Sequence, residues 1–374
     1  MTKQNTAISI AKAFAIILMV IGHADCPVLL GRFLYEFHMP LFFITAGYFF
    51  SLKYLDNEAD FVKKRLKGLY LPFLKWSIFF LLIHNWMFSL GILNEKYGNE
   101  SGGVTHPYSW HQLQQNIWNC VSEMGGYDVF LTGAFWFFRA LLVASILYLI
   151  IFKLWKIFFK RINKINYTYI GIAVCITMLL ICAWKTGEGL RVQNLLQGGY
   201  RDLMGTFFFG IGFLFRQNEN KIKNKWWLTL SYFVIVFAFS YYLPSGMDWK
   251  SDLNQFLSLP IPAILGFLMT YNISIWIDKH DNIIRRFLIY CGNNTLSIFI
   301  FHIISFKVVS LIKIWYYHLD YEQIGSHMVI HHNSREDLFW ILYAIAGVGI
   351  PLLWKYYYTK LKSRYVAVNN NVNH

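Results

Sequence analysis

Apolar runs of membrane length recur along the chain, at about 8–25, 33–51, 69–93, 133–152, 167–184, 199–215, 226–243, 254–277, 287–311 and 338–358. Each is close to the roughly 20 residues a helix needs to cross hydrocarbon. A helix also satisfies its own backbone groups where no water can. The pattern predicts an all-α polytopic integral membrane protein of about ten transmembrane helices. It reads as a single domain over 1–374, with a core of about 6–360, because no Pro/Ser-rich linker or change of composition divides it. No repeat relates the two halves, which weighs against the transporter folds built from repeats.

Two polar stretches are long enough to do something beyond turning the chain. Residues 94–132 carry His106, Trp110, His111, Trp118, Glu123 and Asp128. Residues 312–337 carry His318, Asp320, Glu322, His327, His331, His332, Glu336 and Asp337. The second resembles a metal tract, but a His-rich loop without a defined helical frame is weak evidence, so it reads as a solvated loop and no metal is assigned. Aromatic-rich, mildly polar loops of this kind suit stacking on sugar rings.

Composition supports the membrane reading: 56% of residues are hydrophobic and only 14% charged, against roughly a quarter charged in an ordinary soluble domain. The formal charge of +14 invites a nucleic-acid partner, but its distribution argues otherwise. With the N-terminus placed inside, 22 basic residues fall on the inner side and seven on the outer: Arg32, Lys96, Lys185, Arg191, Lys250, Lys313 and Arg335. That is the positive-inside pattern, with both termini cytoplasmic and contact with anionic headgroups rather than nucleic acid. The expected location is the bacterial inner or plasma membrane, crossed many times. Lys3 before an apolar stretch could pass for a signal peptide, but Lys12 interrupts that stretch and Asp25 before Cys26 is wrong for lipoprotein cleavage. The first run is expected to be a retained span. The five cysteines lack metal spacing. Cys175 and Cys182 read as packing residues, and Cys26 and Cys120, both on the outer side, are a candidate disulfide.

Lys12 and His23 share the first apolar run. Eleven residues of α-helix turn through about 1,100°, leaving the two side chains about 20° apart and roughly 16 Å apart along the axis. Ionisable groups at membrane depth normally face protein or a wet cavity, so this face is expected to line a polar site. The plainer alternative is a snorkelling lysine at one interface and a histidine at the other. Glu36 and His38 fall near the outer end of the second run, at about the depth of His23. A carboxylate can orient an imidazole, which can then take a hydroxyl proton; interfacial polarity is the alternative. Pro40 inside that run is expected to leave a carbonyl unpaired, which a cavity lining permits.

The inner segment Lys63-Lys64-Arg65-Leu66-Lys67 before Pro72 is an ordinary cytoplasmic anchor when taken alone. Beside an acyl-transfer site it would suit the phosphates of a nucleotide thioester such as coenzyme A. Arg139, Asn293 and His302 are further substrate-binding or oxyanion candidates, Arg139 because a cation can stabilise a developing oxyanion. Lys307 adds a second intramembrane cation after His302. Arg201 and Asp202 read as a pair that neutralise one another near an interface.

In order, these are Lys12-x10-His23, Phe37-His38-Met39-Pro40-Leu41-Phe42-Phe43 followed by Gly47, the basic run before Pro72, Trp136-Phe137-Phe138-Arg139, and Gly292-Asn293-Asn294-Thr295-Leu296 with His302. Together they resemble the acyltransferase-3 family of integral membrane acyltransferases, most closely its fucose 4-O-acetylase-like branch. The resemblance covers essentially the whole chain. It implies ten core spans, acyl-CoA on the cytoplasmic side, O-acylation of a surface or exported glycan, and an Arg/Lys-x10-His motif that Lys12 and His23 match. The family often has two arginines three apart before the proline of span three; here Lys64 and Lys67 have that spacing. An extra esterase-like domain found in some relatives is not expected here.

The sequence therefore points to an O-acyltransferase moving an acyl group, most simply acetyl from acetyl-CoA, to a hydroxyl of a glycan or lipid-linked sugar. No permanently bound cofactor is expected, with acetyl-CoA serving as co-substrate. His23 is the general base, Lys12 supports the donor lower in the same channel, and Glu36 or Asp25 orients His23. Direct transfer and a transient acyl-histidine both fit. The rivals are a transporter or flippase using the same charges as a path, and a non-catalytic partner in polysaccharide export.

Overall fold

The computed structural model describes residues 5–100, 103–162, 165–193, 195, 197–247, 253, 258–333 and 336–372, with side chains to 363. Lys3, Lys164, Lys250, Arg335 and the side chain of Arg364, all counted in the charge pattern, lie outside the described residues, as do 254–257 of the eighth apolar run. The described residues are helical with no strand. In chain order the main helices are α1 (Thr6–Gly22), α2 (Val28–Tyr35), α3 (His38–Tyr48), α4 (Glu58–Arg65), α5 (Leu71–Ser89), α6 (Trp110–Glu123) and α7 (Trp136–Arg161). There follow α8 (Tyr167–Gly187), α9 (Tyr200–Asn218), α10 (Trp226–Tyr242), α11 (Pro260–Asp278), α12 (Ile283–Asn293), α13 (Thr295–Tyr317) and α14 (Phe339–Val372).

Among the described residues, seven helical segments have the length and composition of a membrane crossing: 28–48, 58–89, 129–161, 167–187, 260–278, 295–317 and 339–363. Helices α1 and α10 are apolar but only 17 residues long. Helix α9, at 19 residues, carries Arg201, Asp202 and Arg216 along its length. The chain is thus a multi-pass membrane protein. One end of the bundle holds the described basic segments; the other holds residues 94–100, 103–132, 318–333 and 336–338.

Helix α1 runs through the protein interior. Asn5 caps its start by accepting from Ile8 N at 3.2 Å, and Ala7, Ala11, Ala13 and Ala15 are all buried. Small residues on several faces let neighbouring helices close around it, and α2, α3, α11, α12, α13 and α14 all pack on it. That enclosure explains how the helix carries Lys12 in an apolar run without exposing it to lipid. Two close approaches fix the neighbours. A Cβ on Gly47 of α3 would sit 1.8 Å from Phe209 O, and one on Gly212 of α9 would sit 1.9 Å from Ile44 O. Helices α3 and α9 therefore meet backbone to backbone.

Local chemistry moves several boundaries from those the hydropathy predicts. The second run breaks at Glu36-Phe37 into α2 and α3. Pro40 consequently lies in the first turn of α3, where the missing N–H costs nothing, rather than inside a continuous helix. Residues 66–70 form one π-helical turn between α4 and α5. The ninth run is divided at Asn294 into α12 and α13. The segment 94–132 is not merely a loop: Ser109 and Gln112 form a capping box that starts the amphipathic α6. No disulfide joins Cys26 to Cys120, so the candidate bridge is not formed.

Candidate active site

Lys12 and His23 open onto two different spaces. At the basic end, a cavity of about 250 Å³ is lined by Lys12 and Ile16 of α1, Phe42 and Thr45 of α3, Phe137 and Leu141 of α7, and Thr295 and Phe299 of α13. Gly68 and Leu69 of the π-turn also line it, directly after the basic run. The π-turn slips the helix register by one residue there, a device frequent at functional sites. At the other end, a cleft of about 450 Å³ is lined by His23, Asp25, Tyr35, Tyr127, Trp136, Arg201, His327 and His331, among others. The cavity reaches Ile16 and Phe137; the cleft begins at Gly22 and Trp136. Both spaces thus meet α1, at positions separated by about a turn and a half of helix, and the same first turn of α7.

His23 is the residue immediately after α1, its backbone still helical. Its Nδ1 lies 2.9 Å from Nε2 of His302, and the rings are within 15° of parallel with centroids 5.2 Å apart. His302 is 1% exposed and bonds through Nδ1 to the carbonyls of Ile298 at 3.2 Å and Phe299 at 3.0 Å, one turn back in α13. Two histidines 279 residues apart in sequence therefore form one unit.

Glu36 goes elsewhere. It is buried, and its carboxylate accepts from Ser245 N at 2.9 Å and Ser245 Oγ at 2.7 Å, tying the α2–α3 break to the segment after α10. Asp25 lines the cleft with His23, and its carboxylate receives His331 Nδ1 at 3.0 Å. His38 is buried, with Nδ1 on Leu34 O at 2.7 Å, and its ring meets the edge of Tyr35 at 5.0 Å. Tyr35, which it touches, lines the cleft. Arg139 is buried at 1% exposure; it bonds Asp202 at 3.0 and 3.2 Å and Leu195 O at 2.6 Å. Asp202 is thus bonded by Arg139 from another helix, while Arg201 lies 4.1 Å over the Trp136 ring in the cleft wall. The sequence pairing of Arg201 with Asp202 overlooked α7, whose register against α9 brings Arg139 in.

Asn293 ends α12 at the basic end, two residues before the cavity-lining Thr295, and is exposed. Lys63, Lys64 and Lys67 are exposed. Lys64 pairs with Asp60 at 2.7 Å. Arg65 instead turns inward, 4.9 Å from the Phe61 ring and 5.4 Å from Phe209.

The loop after α13 contributes more than its sequence indicates. Lys307 donates to Ile324 O at 2.6 Å and Ser326 O at 2.7 Å, stapling the loop to α13. That staple carries His327 and His331 into the cleft. Burial, and then Lys307 nearby, pulls His327 down to about 4. Tyr35, Trp136, Arg201, His327 and His331 all line the cleft. For His327 and His331 the sequence signal was the density of histidines in 312–337; Trp136 lay in the Trp136–Arg139 motif and Arg201 in the pair with Asp202.

Polar hollows flank the cleft. One of about 300 Å³ shares Tyr127 and Val129 with it and adds Tyr108, Gln112, Gln115 and Asn116. Another, of about 500 Å³, shares Arg201 and adds Lys185 and Arg191. Asp128 anchors the first: it pairs with the buried His84, and its Oδ1 accepts from Phe130 N at 3.0 Å and Leu131 N at 3.1 Å.

A family model described as an acyltransferase domain matches residues 5–359. No curated protein and no solved structure matches the chain.

Proposed function

The chain belongs to the acyltransferase domain family, and from that premise we propose that it is an O-acetyltransferase using cytoplasmic acetyl-CoA to acylate a hydroxyl of an exported glycan or lipid-linked sugar. The observation that carries this reading is the division of one face of α1 between two spaces. Lys12 lines an apolar cavity at the basic end, and His23 lines a polar cleft at the other. A donor and an acceptor entering from opposite ends would meet along that face.

On this reading the basic end is cytoplasmic, as its excess of Lys and Arg supports. The CoA phosphates lie against Lys63, Lys64, Arg65 and Lys67, and the pantetheine arm enters the cavity beside Gly68 and Leu69. Lys12 holds the donor by charge, and the thioester extends past Ile16 toward His23. His23 takes the acceptor hydroxyl proton as its oxygen attacks the thioester carbonyl. The C–O bond forms, the C–S bond breaks, and the departing thiolate recovers the proton from His23. Phenol and indole rings together with the amides of Gln112, Gln115 and Asn116 are the mixture that binds sugars, which supports a glycan acceptor. Glu36 serves as a tether rather than as the partner of His23.

The test is acetyl-CoA turnover by the purified protein in nanodiscs, together with mass spectrometry of surface glycans from cells with and without it. His23→Ala should lower transfer by roughly 100- to 10,000-fold at unchanged membrane level. Full transfer in His23→Ala would remove His23 as base. Glycan movement across vesicles without acetyl-CoA consumption would restore the transport reading.

A further inference from the structure

We propose that His302 is a positioning residue that sets the tautomer of His23, holding the proton on Nδ1 so that Nε2 is the basic nitrogen. This rests on the reading of His23 as the base and adds the group that makes it one. The argument is a chain of donor and acceptor assignments that begins in the backbone of α13. A carbonyl oxygen can only accept, and His302 Nδ1 lies within 3.2 Å of two of them, Ile298 O and Phe299 O. Nδ1 of His302 therefore carries a hydrogen. A neutral imidazole has one N–H, so Nε2 of His302 presents a lone pair. That lone pair is 2.9 Å from His23 Nδ1, which must then be the donor. Neutral His23 is left with its only bare nitrogen at Nε2.

The arrangement depends on fixed helical geometry. Side chains in a helix lean toward its N-terminus, which brings an imidazole over the carbonyls three and four residues back. Each such carbonyl has a second lone pair beyond its helical bond. The register of α13 therefore fixes the first proton, and each ring passes the constraint to the next. Serine hydrolases use a buried carboxylate for the same purpose. Here a neutral imidazole does so without placing an anion among Phe299, Phe306 and their neighbours. When His23 takes a proton from the acceptor, its Nδ1–H still points at the His302 lone pair. A hydrogen bond to a charged donor is about twice as strong as a neutral one, so the imidazolium is favoured.

Side-chain 15N NMR on the full-length protein in nanodiscs, labelled at histidine and free of donor and acceptor, reads the tautomer directly. The His23 signals are assigned by their loss in His23→Gln. The expected result is a protonated Nδ1 and a bare Nε2 for both His23 and His302. A parent protein with the proton on His23 Nε2 overturns the proposal, whatever any variant does. In His302→Leu, His23 should lose its single tautomer, and kcat should fall by about tenfold or more with the KM for acetyl-CoA unchanged. His302→Gln, whose carbonyl can accept from His23 Nδ1, should recover part of both. A single Nδ1–H tautomer of His23 persisting in His302→Leu would also overturn it. The correct tautomer in a protein whose His23→Ala variant stays active would refute the base and leave the tautomer assignment standing.

Discussion

Lys12 and His23 share a helix face but differ in what a replacement should do. A lysine that only snorkels can be exchanged for an uncharged residue without loss. A cation holding the donor should tolerate Lys12→Arg in part, because the charge survives while the geometry changes. At matched protein levels we expect acetyl transfer to rank the parent first, Lys12→Arg second and Lys12→Met near background. A Lys12→Met variant as active as the parent would reduce the eleven-residue spacing to coincidence. A second residue-scale prediction concerns His327, whose affinity for protons drops from 6.5 to about 4 on burial. A depressed histidine keeps its stabilising neutral form above pH 6.5 and loses it as pH falls through about 4, since only the unfolded chain gains the proton in between. The effect is worth at most about 3 kcal/mol. Thermal unfolding followed from pH 7 to pH 4 should show a shallower acid decline in His327→Gln than in the parent; parallel curves would refute it. Glu36 shows how far a residue's depth can mislead. Its level beside His23 was legible, but its rotamer turns to Ser245, 209 residues away.

At the level of elements, the break between α2 and α3 and the crossing of α3 with α9 set where the cavity wall stands. Gly47 and Gly212 let those two backbones touch. Gly212→Ala should therefore force the helices apart and destabilise the protein by about 1–3 kcal/mol, the usual cost of overpacking, read as a lower unfolding temperature in detergent. Gly68→Ala has no neighbour within 4 Å and should leave that temperature unchanged. An unaltered unfolding temperature in Gly212→Ala would show that α9 can slide. The basic run on α4 and the π-turn belongs to this scale too, because its charges act together. Neutralising Lys63, Lys64 and Lys67 should raise the KM for acetyl-CoA several-fold while leaving acceptor saturation unchanged. Orientation must be verified by cysteine labelling, since the same charges set topology. An unchanged KM in a correctly oriented variant would make the run an anchor only.

At the scale of the molecule, the helices enclose α1 and leave an apolar space beside its middle and a polar one at its C-terminal end. The sequence by itself determined the class of protein: recurrent apolar runs, sparse charge, one-sided Lys and Arg, and a lysine and histidine eleven residues apart within the first run. Those properties are local or statistical, so hydropathy and helical periodicity suffice to read them. It also placed Arg139 and His302 among the candidates without partners, and read the histidine-rich 312–337 segment as a solvated loop. Only the tertiary structure decided who meets whom. His302 reaches His23, Arg139 bonds Asp202 from another helix, Ser245 occupies Glu36, and Lys307 draws the His327 loop into the cleft. The first two depend on the rotation and register of helices far apart in sequence, the third on where the segment after α10 returns, and the last on a loop folding back onto α13. Apolar periodicity places a residue on a buried face, but among several buried faces it leaves the partner open; close approaches such as Gly47 against Phe209 set the registers, and with them the pairs.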